Sequence, residues 1–370
     1  MKIAFRVDAS LQIGTGHVMR CLTLADALAA QSADCLFICR EHQGNLTEQI
    51  HNKGYRTHAL PIRPSAGASS LAIKADSDDQ SPAHSHWLGA TQAEDAAACS
   101  AILADVKPDW LIVDHYALDA RWELALKPHC RKLMVIDDLA DRAHLCDLLL
   151  DQTFGRDAED YHALVPASSR LLCGSRYALL RREFAALRDY SLQRRAKPQL
   201  HQLLITMGGV DKGNATSQVL KALRGCVLPA QCKITVVMGT TAPWLTEVSR
   251  QAQSMPWPTK VMVGVSNMAQ LMAGSDLAIG AAGATSWERC CLGLPTIMLV
   301  LADNQYKVAQ VLERVGAAQV LKDPLEIPDC LPVLLNGLVS SPFLLAEMSE
   351  AAARIVDGRG VVAAIKNLEC

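Results

Sequence analysis

The stretch "RVDASLQIGTGHVMRCLTLADAL", Arg6 to Leu28, decides how this chain is read. Upstream, Ile3, Phe5 and Val7 alternate with Ala4, Arg6 and Asp8, a period of two that predicts a strand over 2–8. Downstream, Val18, Cys21, Leu22, Ala25 and Leu28 fall on one helical face, which predicts a helix over 18–28. Gly14 and Gly16 lie between, where residues without a Cβ permit tight turns and close approach of a ligand to backbone. A strand that turns through glycines into a helix is half of a βα unit, and the helix start offers unpaired N–H groups to an anion.

The same signature recurs outward from this stretch. Strands are predicted at "CLFICR" (35–40), "WLIVDHY" (110–116), "KLMVIDDL" (132–139), "DLLLDQ" (147–152) and "RLLCG" (170–174), with helix-like segments between them. After the charged run "RREFAALRDYSLQRRAKPQ" (181–199) a second series begins with "QLLITMG", "KITVVMG", "KVMVG", "DLAIG", "PTIMLVL" and "AAQVL". Repeated βα units favour parallel sheets covered on both faces. The expectation is an α/β protein of two Rossmann-like domains, 1–180 and 199–370, joined by a linker at 181–198, with a hinge around 176–199 and the parallel sheets facing across a cleft. Apolar stretches at 344–369 read as helices closing either domain. Residues 63–86, rich in Ser, Ala, Asp and Pro, lack a period and read as an exposed insertion; His84 and His86 near Asp76, Asp78 and Asp79 could bind a metal, although the composition suits a solvated loop.

Composition narrows the function. A chain of 370 residues exceeds what one core usually serves. Its 36 basic and 38 acidic side chains nearly cancel, which leaves no electrostatic footprint for nucleic acid or an anionic membrane, so a small-molecule ligand is expected. The 13 cysteines show no CxxC pair or framework spacing and read as free thiols of a reducing compartment, with Cys290 and Cys291 in a core. Arg6 and Asp8 interrupt the first apolar run, and no stretch approaches the length of a membrane span. A cytoplasmic protein without cofactor or metal is expected.

Four loops follow strand ends, where ligands of open parallel sheets collect. In IGTGH, His17 falls in the first helical turn, whose positive end favours the neutral ring that can accept a proton. The alternative is that Gly14 and Gly16 merely turn the chain and His17 caps the helix. Arg6 and Asp8 either orient His17 or pair structurally. In "DHYALD", Asp114, His115 and Tyr116 are candidates, and Asp137 and Asp138 end the next strand likewise; metal binding, acid/base chemistry and the commoner turn or helix capping all fit. "TMGGVDKGN" (206–214), with Gly208 and Gly209, supports a generic phosphate cradle and no Walker motif. In "AIGAAGATSWERCCLGLPTIMLVLADNQ" (278–305), Gly280 and Gly283 form a loop, and Glu288 one turn into the helix can accept from two ribose hydroxyls or simply favour the helix dipole. The strand after Pro295 delivers Asp303, Asn304 and Gln305 to the same edge.

Taken in order, these motifs resemble a known family. Arg6, Asp8, Gly14, Gly16, His17 and Arg20, then "CLTLA", "DHY" (114–116), "IDDLADRAHLCDLLLDQ" (136–152), "YALLRREF" (177–184), "GGVD" (208–211), "AAGATSWE" (281–288) and "DNQ" (303–305) closely resemble the UDP-2,4-diacetamido-2,4,6-trideoxy-β-L-altropyranose hydrolases of pseudaminic acid biosynthesis. These are relatives of the MurG-type glycosyltransferases, so the resemblance implies a GT-B fold. It implies that water displaces UDP at the anomeric carbon and releases the free sugar. Carried over motif by motif, His17 is the implied catalytic residue, Tyr116 and Asn304 are implied active-site residues, Glu288 binds ribose, and the backbone near Val265 and Met268 in "VGVSNMAQLM" binds uracil. Asp8 joins the catalytic group, and Gly14, Gly16, Arg20, Gly208, Gly209, Gly283 and Gln305 the substrate contacts.

The resemblance spans nearly the whole chain apart from 63–86. No acetyltransferase sequence follows residue 370, so the neighbouring pathway step is expected from another protein. Two rivals stay open: a MurG-like glycosyltransferase handing the sugar to an acceptor, for which no basic apolar patch is evident, and a non-catalytic nucleotide-sugar binding protein. A dinucleotide oxidoreductase is disfavoured because the first loop lacks GxGxxG.

Overall fold

A computed structural model describes residues 1–62 and 81–369. The chain divides into two compact units, Met1–Gln152 with Arg156–Cys173 and Ala364–Cys370, and Thr153–Gly155 with Gly174–Ala363.

In the first unit the described strands are β1 (Lys2–Val7), β2 (Asp34–Arg40), β3 (Arg56–Leu60), β4 (Trp110–Asp114), β5 (Lys132–Ile136), β6 (Leu148–Asp151) and β7 (Arg170–Cys173). All pair in parallel in the order β3-β2-β1-β4-β5-β6-β7. The helices are α1 (Gly16–Ala29), α2 (Thr47–Asn52), α3 (Gln92–Val106) and α4 (Ala120–Leu126). β1 and β4 are central and buried along nearly their whole length, which is why they read as apolar runs. β3 escaped sequence reading because "RTHAL" at the sheet edge buries only Leu60 fully and offers no apolar period.

The second unit opens with α5 (Arg182–Arg195) and continues with β8 (Gln202–Thr206), α6 (Ala215–Leu223), β9 (Lys233–Met238), α7 (Leu245–Gln253), β10 (Thr259–Val263), α8 (Met268–Gly274), β11 (Leu277–Ala281), α9 (Thr285–Cys291), β12 (Thr296–Leu299), α10 (Tyr306–Arg314), β13 (Ala318–Leu321), α11 (Ile327–Ser340) and α12 (Pro342–Ala353). Its parallel sheet runs β10-β9-β8-β11-β12-β13. The last helix, α13 (Gly360–Leu368), begins in the second unit and ends in the first, where the Trp110 indole donates to the Leu368 carbonyl at 3.0 Å. α12 sends Leu345 and Met348 into the second unit's core.

The segment expected as a linker, 181–198, is instead mostly α5, an integral helix of the second unit. Phe184 is fully buried in that unit's core, and the buried Ser191 and Arg195 bond to Leu292 and to carbonyls of Met272 and Ser275. Its charged sequence misled because Arg188, Arg194 and Arg195 satisfy carbonyls and Asp276 of their own unit. The unit boundary falls at residues 173 and 174. The 63–86 insertion lies outside the described residues up to 80; a turn of 3-10 helix, Ser85–Trp87, runs from its end to the residue after it.

No single described helix is long and apolar enough to cross a membrane. The segments Pro324–Ser340 and Pro342–Ala353 pass that test only as a pair bent by 100°, and Leu331, Leu335, Leu338 and Leu345 of this pair are core residues.

Candidate active site

The sheet order of the first unit reverses between β1 and β4, so the loops leaving these strands start side by side, with Val7 in register with Asp114. The loop after β1 is tied by Ser10, whose Oγ accepts from the N–H groups of Gln12 and Ile13 at 3.1 and 2.9 Å, while Gly14 donates to the Ser10 carbonyl at 2.9 Å. Gly14 has a φ of +81°, which only glycine adopts without strain. The turn delivers Gly16 as the first residue of α1 and His17 as the second; Thr15 at the cap makes no side-chain bond to the first turn.

His17 and Arg20 are one turn apart on α1 and converge on one carboxylate. His17 Nδ1 is 2.6 Å from Asp114 Oδ1, and Arg20 grips the same group with Nε to Oδ2 at 2.6 Å and Nη2 to Oδ1 at 2.7 Å. Asp114 is completely buried. Burial opposes its ionisation, but Arg20 and His17 override that penalty and hold it well below the ordinary carboxylate range. Arg20 Nη1 reaches Asp138 Oδ2 at 2.5 Å, and the Tyr116 hydroxyl donates to that oxygen at 3.0 Å. The Tyr116 ring meets His17 edge to face, centroids 4.6 Å apart. Burial first, then Asp138, pushes its phenol well above the usual value, so the hydroxyl stays protonated.

In the tautomer that donates Nδ1–H to Asp114, the lone pair of the ring is on Nε2, and the side chain is 12% exposed. This is the orientation a general base requires. Asp114 and Asp138 were visible in sequence only as strand-end aspartates, and the fold separates them from Asp137. Asp137 accepts from the N–H groups of Leu139 and Ala140 at 3.2 and 2.8 Å, pairs with Arg142 and receives the Tyr161 hydroxyl, and so builds a turn.

Two expected roles change. Asp8 makes no bond to His17; it is fully buried, paired with Arg6 at 2.5 Å and with His115 Nε2 at 3.1 Å, and accepts from the Arg40 N–H at 2.7 Å. Asp95 completes this network through Arg6, Arg40 and the Trp122 indole. Asp8 therefore anchors the strand end rather than joining the reacting groups. Arg20, expected to touch substrate, is only 6% exposed and gives its guanidinium to Asp114 and Asp138, which makes it a positioning residue.

In the second unit the order reverses between β8 and β11, with Thr206 in register with Gly280, so the loop at Gly208 and Gly209 neighbours the loop at Gly283. At the first of these, the loop expected as a phosphate cradle, Gly208 takes a φ of +85°. Asp211 accepts from Ala215 and Thr216 at 2.8 and 3.0 Å, and Asn214 from Ser217 at 3.4 Å, so the start of α6 is already capped by the chain's own oxygens. At the second loop the start of α9 has no side-chain cap. Gln305 accepts from the Leu301 N–H at 3.0 Å, and its Nε2 would lie 3.9 Å from a Cβ placed on Gly283. Asn304 stands exposed in the turn Asp303–Gln305.

Glu288 lies in the first turn of α9, 18% exposed, and burial pushes its carboxyl up to about 7, against the pull of Arg181 and Arg289. Arg181 Nη2 is 3.8 Å from Glu288 Oε1, and Nη1 donates to the Ser266 carbonyl at 3.3 Å. Arg181 thus ties Glu288 to the segment carrying Val265 and Met268, both of which pack on the core beneath. Sequence reading missed this arginine as a site residue, although it stands inside the "YALLRREF" motif.

Residues 203–361 match the glycosyltransferase family 28 C-terminal domain. An uncharacterized protein of Methanocaldococcus jannaschii, MJ1062, is 23% identical over 81% of this chain, and the match spans about half, 55%, of that protein. The UDP-2,4-diacetamido-2,4,6-trideoxy-beta-L-altropyranose hydrolase of Campylobacter jejuni is 26% identical over 85% of this chain and 97% of its own length. Among solved structures, Acinetobacter baumannii MurG superimposes with a TM-score of 0.68 at 15% identity, covering 100% of this chain and 99% of MurG. The chain therefore has the GT-B fold, residues 203–361 of its second unit are similar to the glycosyltransferase family 28 C-terminal domain, and over most of its length it resembles the altropyranose hydrolases to which its motifs pointed.

Proposed function

We propose that this chain processes a UDP-sugar and that its reaction is hydrolysis of UDP-2,4-diacetamido-2,4,6-trideoxy-β-L-altropyranose. A water oxygen attacks the anomeric carbon, its proton passes to His17 Nε2, and the bond from that carbon to the diphosphate oxygen breaks with its electron pair leaving on UDP. The carrying observation is the His17–Asp114 contact of 2.6 Å inside the Arg20 clamp, which presents Nε2 as a fixed base. Arg20 offsets much of the Asp114 charge, so the carboxylate orients the ring.

UDP is a good leaving group, so the reaction needs a base and dipoles at the departing diphosphate more than a general acid. On this reading the second unit binds the nucleotide: Glu288 accepts the ribose hydroxyls, the backbone at Val265 and Met268 meets uracil, and the uncapped start of α9 faces phosphate. Asn304 and Gln305 complete the substrate contacts.

The test is UDP release by purified protein from this sugar nucleotide without acceptor, beside UDP-GlcNAc. Release from the former alone is expected, and in ¹⁸O-labelled water the label should enter the sugar. No release from either, with binding intact, overturns hydrolysis in favour of transfer or simple binding; label in UDP overturns attack at carbon.

A further inference from the structure

His84, near the end of the segment read as an exposed insertion, and Trp87, the first residue beyond it, pack against the first unit's candidate site. The Trp87 indole lies nearly parallel to the Tyr116 ring, centroids 5.8 Å apart and planes 25° apart. His84 packs on both, at 4.4 Å from Trp87 and 5.5 Å from Tyr116. Tyr116 is the ring that meets His17. These separations are those of favourable aromatic pairs. His17, Tyr116, Trp87 and His84 therefore form one contiguous aromatic surface beginning at the proposed base.

The surface is held from behind. Leu88 is buried in the first unit's core. Gly89, at φ +69°, passes so close to β2 that a Cβ there would lie 2.9 Å from His42 Cε1 and 3.2 Å from Arg40 Cδ. Thr91 and Glu94 form a reciprocal capping box at the start of α3, and the Gln92 side chain bonds to Asp119 at 2.9 Å. Trp87 nevertheless remains partly exposed, and its indole N–H has no partner among the described residues. By contrast, the indoles of Trp110, Trp122 and Trp244 all donate. A fixed, half-open tryptophan separated from the candidate base by one ring, Tyr116, is built to meet a ligand.

We propose that Trp87, flanked by His84, is a specificity-determining wall of this site, packing against the apolar face of a deoxy, N-acylated sugar and favouring it over a sugar with free hydroxyls at the same positions. This rests on the reading of the first unit as the sugar side. An added methyl in an apolar pocket discriminates by roughly 10-fold or more.

Calorimetric titration of UDP, UDP-GlcNAc and UDP-2,4-diacetamido-2,4,6-trideoxy-β-L-altropyranose into His17→Asn protein, which keeps the sugar nucleotide intact, tests the wall independently of turnover. The deoxy sugar nucleotide should bind about tenfold more tightly than UDP-GlcNAc. Adding Trp87→Ala should erase that preference and leave UDP affinity unchanged, whereas Trp87→Phe should keep most of it. An undiminished preference in Trp87→Ala, or none in the parent, overturns the proposal. If Trp87→Ala does not fold, His84→Ala, expected to lose about threefold, decides: a preference equal to the parent's overturns the wall. Failure of wild-type hydrolysis with this binding pattern intact would sink the hydrolase reading and leave the wall standing.

Discussion

His17 Nδ1 and Asp114 Oδ1 lie 2.6 Å apart although 97 residues separate them in sequence, because the strand ends of β1 and β4 are neighbours at the point where sheet order reverses. One partner sits on the first turn of a helix and the other at the end of a buried strand. Both are rigid positions, so the ring has little freedom to turn away. His17→Asn removes the base and should lower kcat by roughly a hundredfold or more. UDP affinity, assigned to the other unit, should not change, and normal turnover would reduce IGTGH to a turn and cap.

Asp114→Asn separates orientation from chemistry. The amide can donate to Nδ1 and so favours the tautomer with its proton on Nε2, the wrong form for a base. Turnover should fall by roughly 10²- to 10⁴-fold, with KM changing far less. Arg20 then faces a neutral group, so the thermal midpoint should also drop. A variant with kcat within a factor of about two of wild type would show that Asp114 only anchors Arg20.

Glu288 predicts a pH dependence of nucleotide binding. Its carboxyl is raised to about 7 by burial, so the free protein holds this proton at mildly acidic pH. If ribose hydroxyls donate to the ionised form, as proposed, UDP should bind more tightly as pH rises through about 7 and weaken below it. Glu288→Gln should bind UDP weakly and lose this dependence in titrations between pH 5.5 and 8. A parallel pH profile in the variant would remove Glu288 from the ribose site.

The Arg6–Asp95–Arg40 network predicts stability rather than rate. Burial opposes ionisation of Asp95, but Arg6 and then Arg40 outweigh it and bring the carboxyl to about 2. A depressed folded value means that the unfolded chain binds the proton more readily. The stabilisation is therefore full above the ordinary carboxylate value near 4 and is lost as pH falls toward about 2. Asp95→Ala leaves the buried Arg40 without a carboxylate partner and Arg6 with Asp8 alone, and should cost about 3–5 kcal/mol in chemical denaturation near neutral pH. A cost below about 1 kcal/mol would mean that water replaces the carboxylate.

Chelation tests the division of labour at the site. If His17 activates the water and the start of α9 meets the diphosphate, as proposed, turnover should persist in excess EDTA. Complete loss of activity, restored by a divalent cation, would assign water activation or charge neutralisation to a metal.

Much of this protein was legible in the sequence because it depends on short-range pattern. The period-two run at 2–8, the glycine turn at Gly14 and the helix carrying His17 are local consequences of Cβ sterics and apolar spacing. The parallel α/β class follows from their repetition. The series of motifs, taken in order, led to the resemblance, which homology over 85% of the chain supports. Pattern failed where charge or composition misled: α5 read as a linker because arginines that cap internal carbonyls look like arginines in solvent, and 81–86 read as part of an exposed insertion.

Tertiary structure alone decided which polar residues meet. Nothing local distinguishes Asp138, which faces Tyr116 and Arg20, from Asp137, which closes a turn one residue earlier. Nor could sequence show that Asp8 pairs away from His17, that Asp211 fills the start of α6, or that Trp87 stacks on Tyr116. The physical reason is the same throughout. Secondary structure is set by neighbours a few residues apart, whereas a buried charge takes the partner that sheet order and register bring to its strand end, often a hundred residues away along the chain.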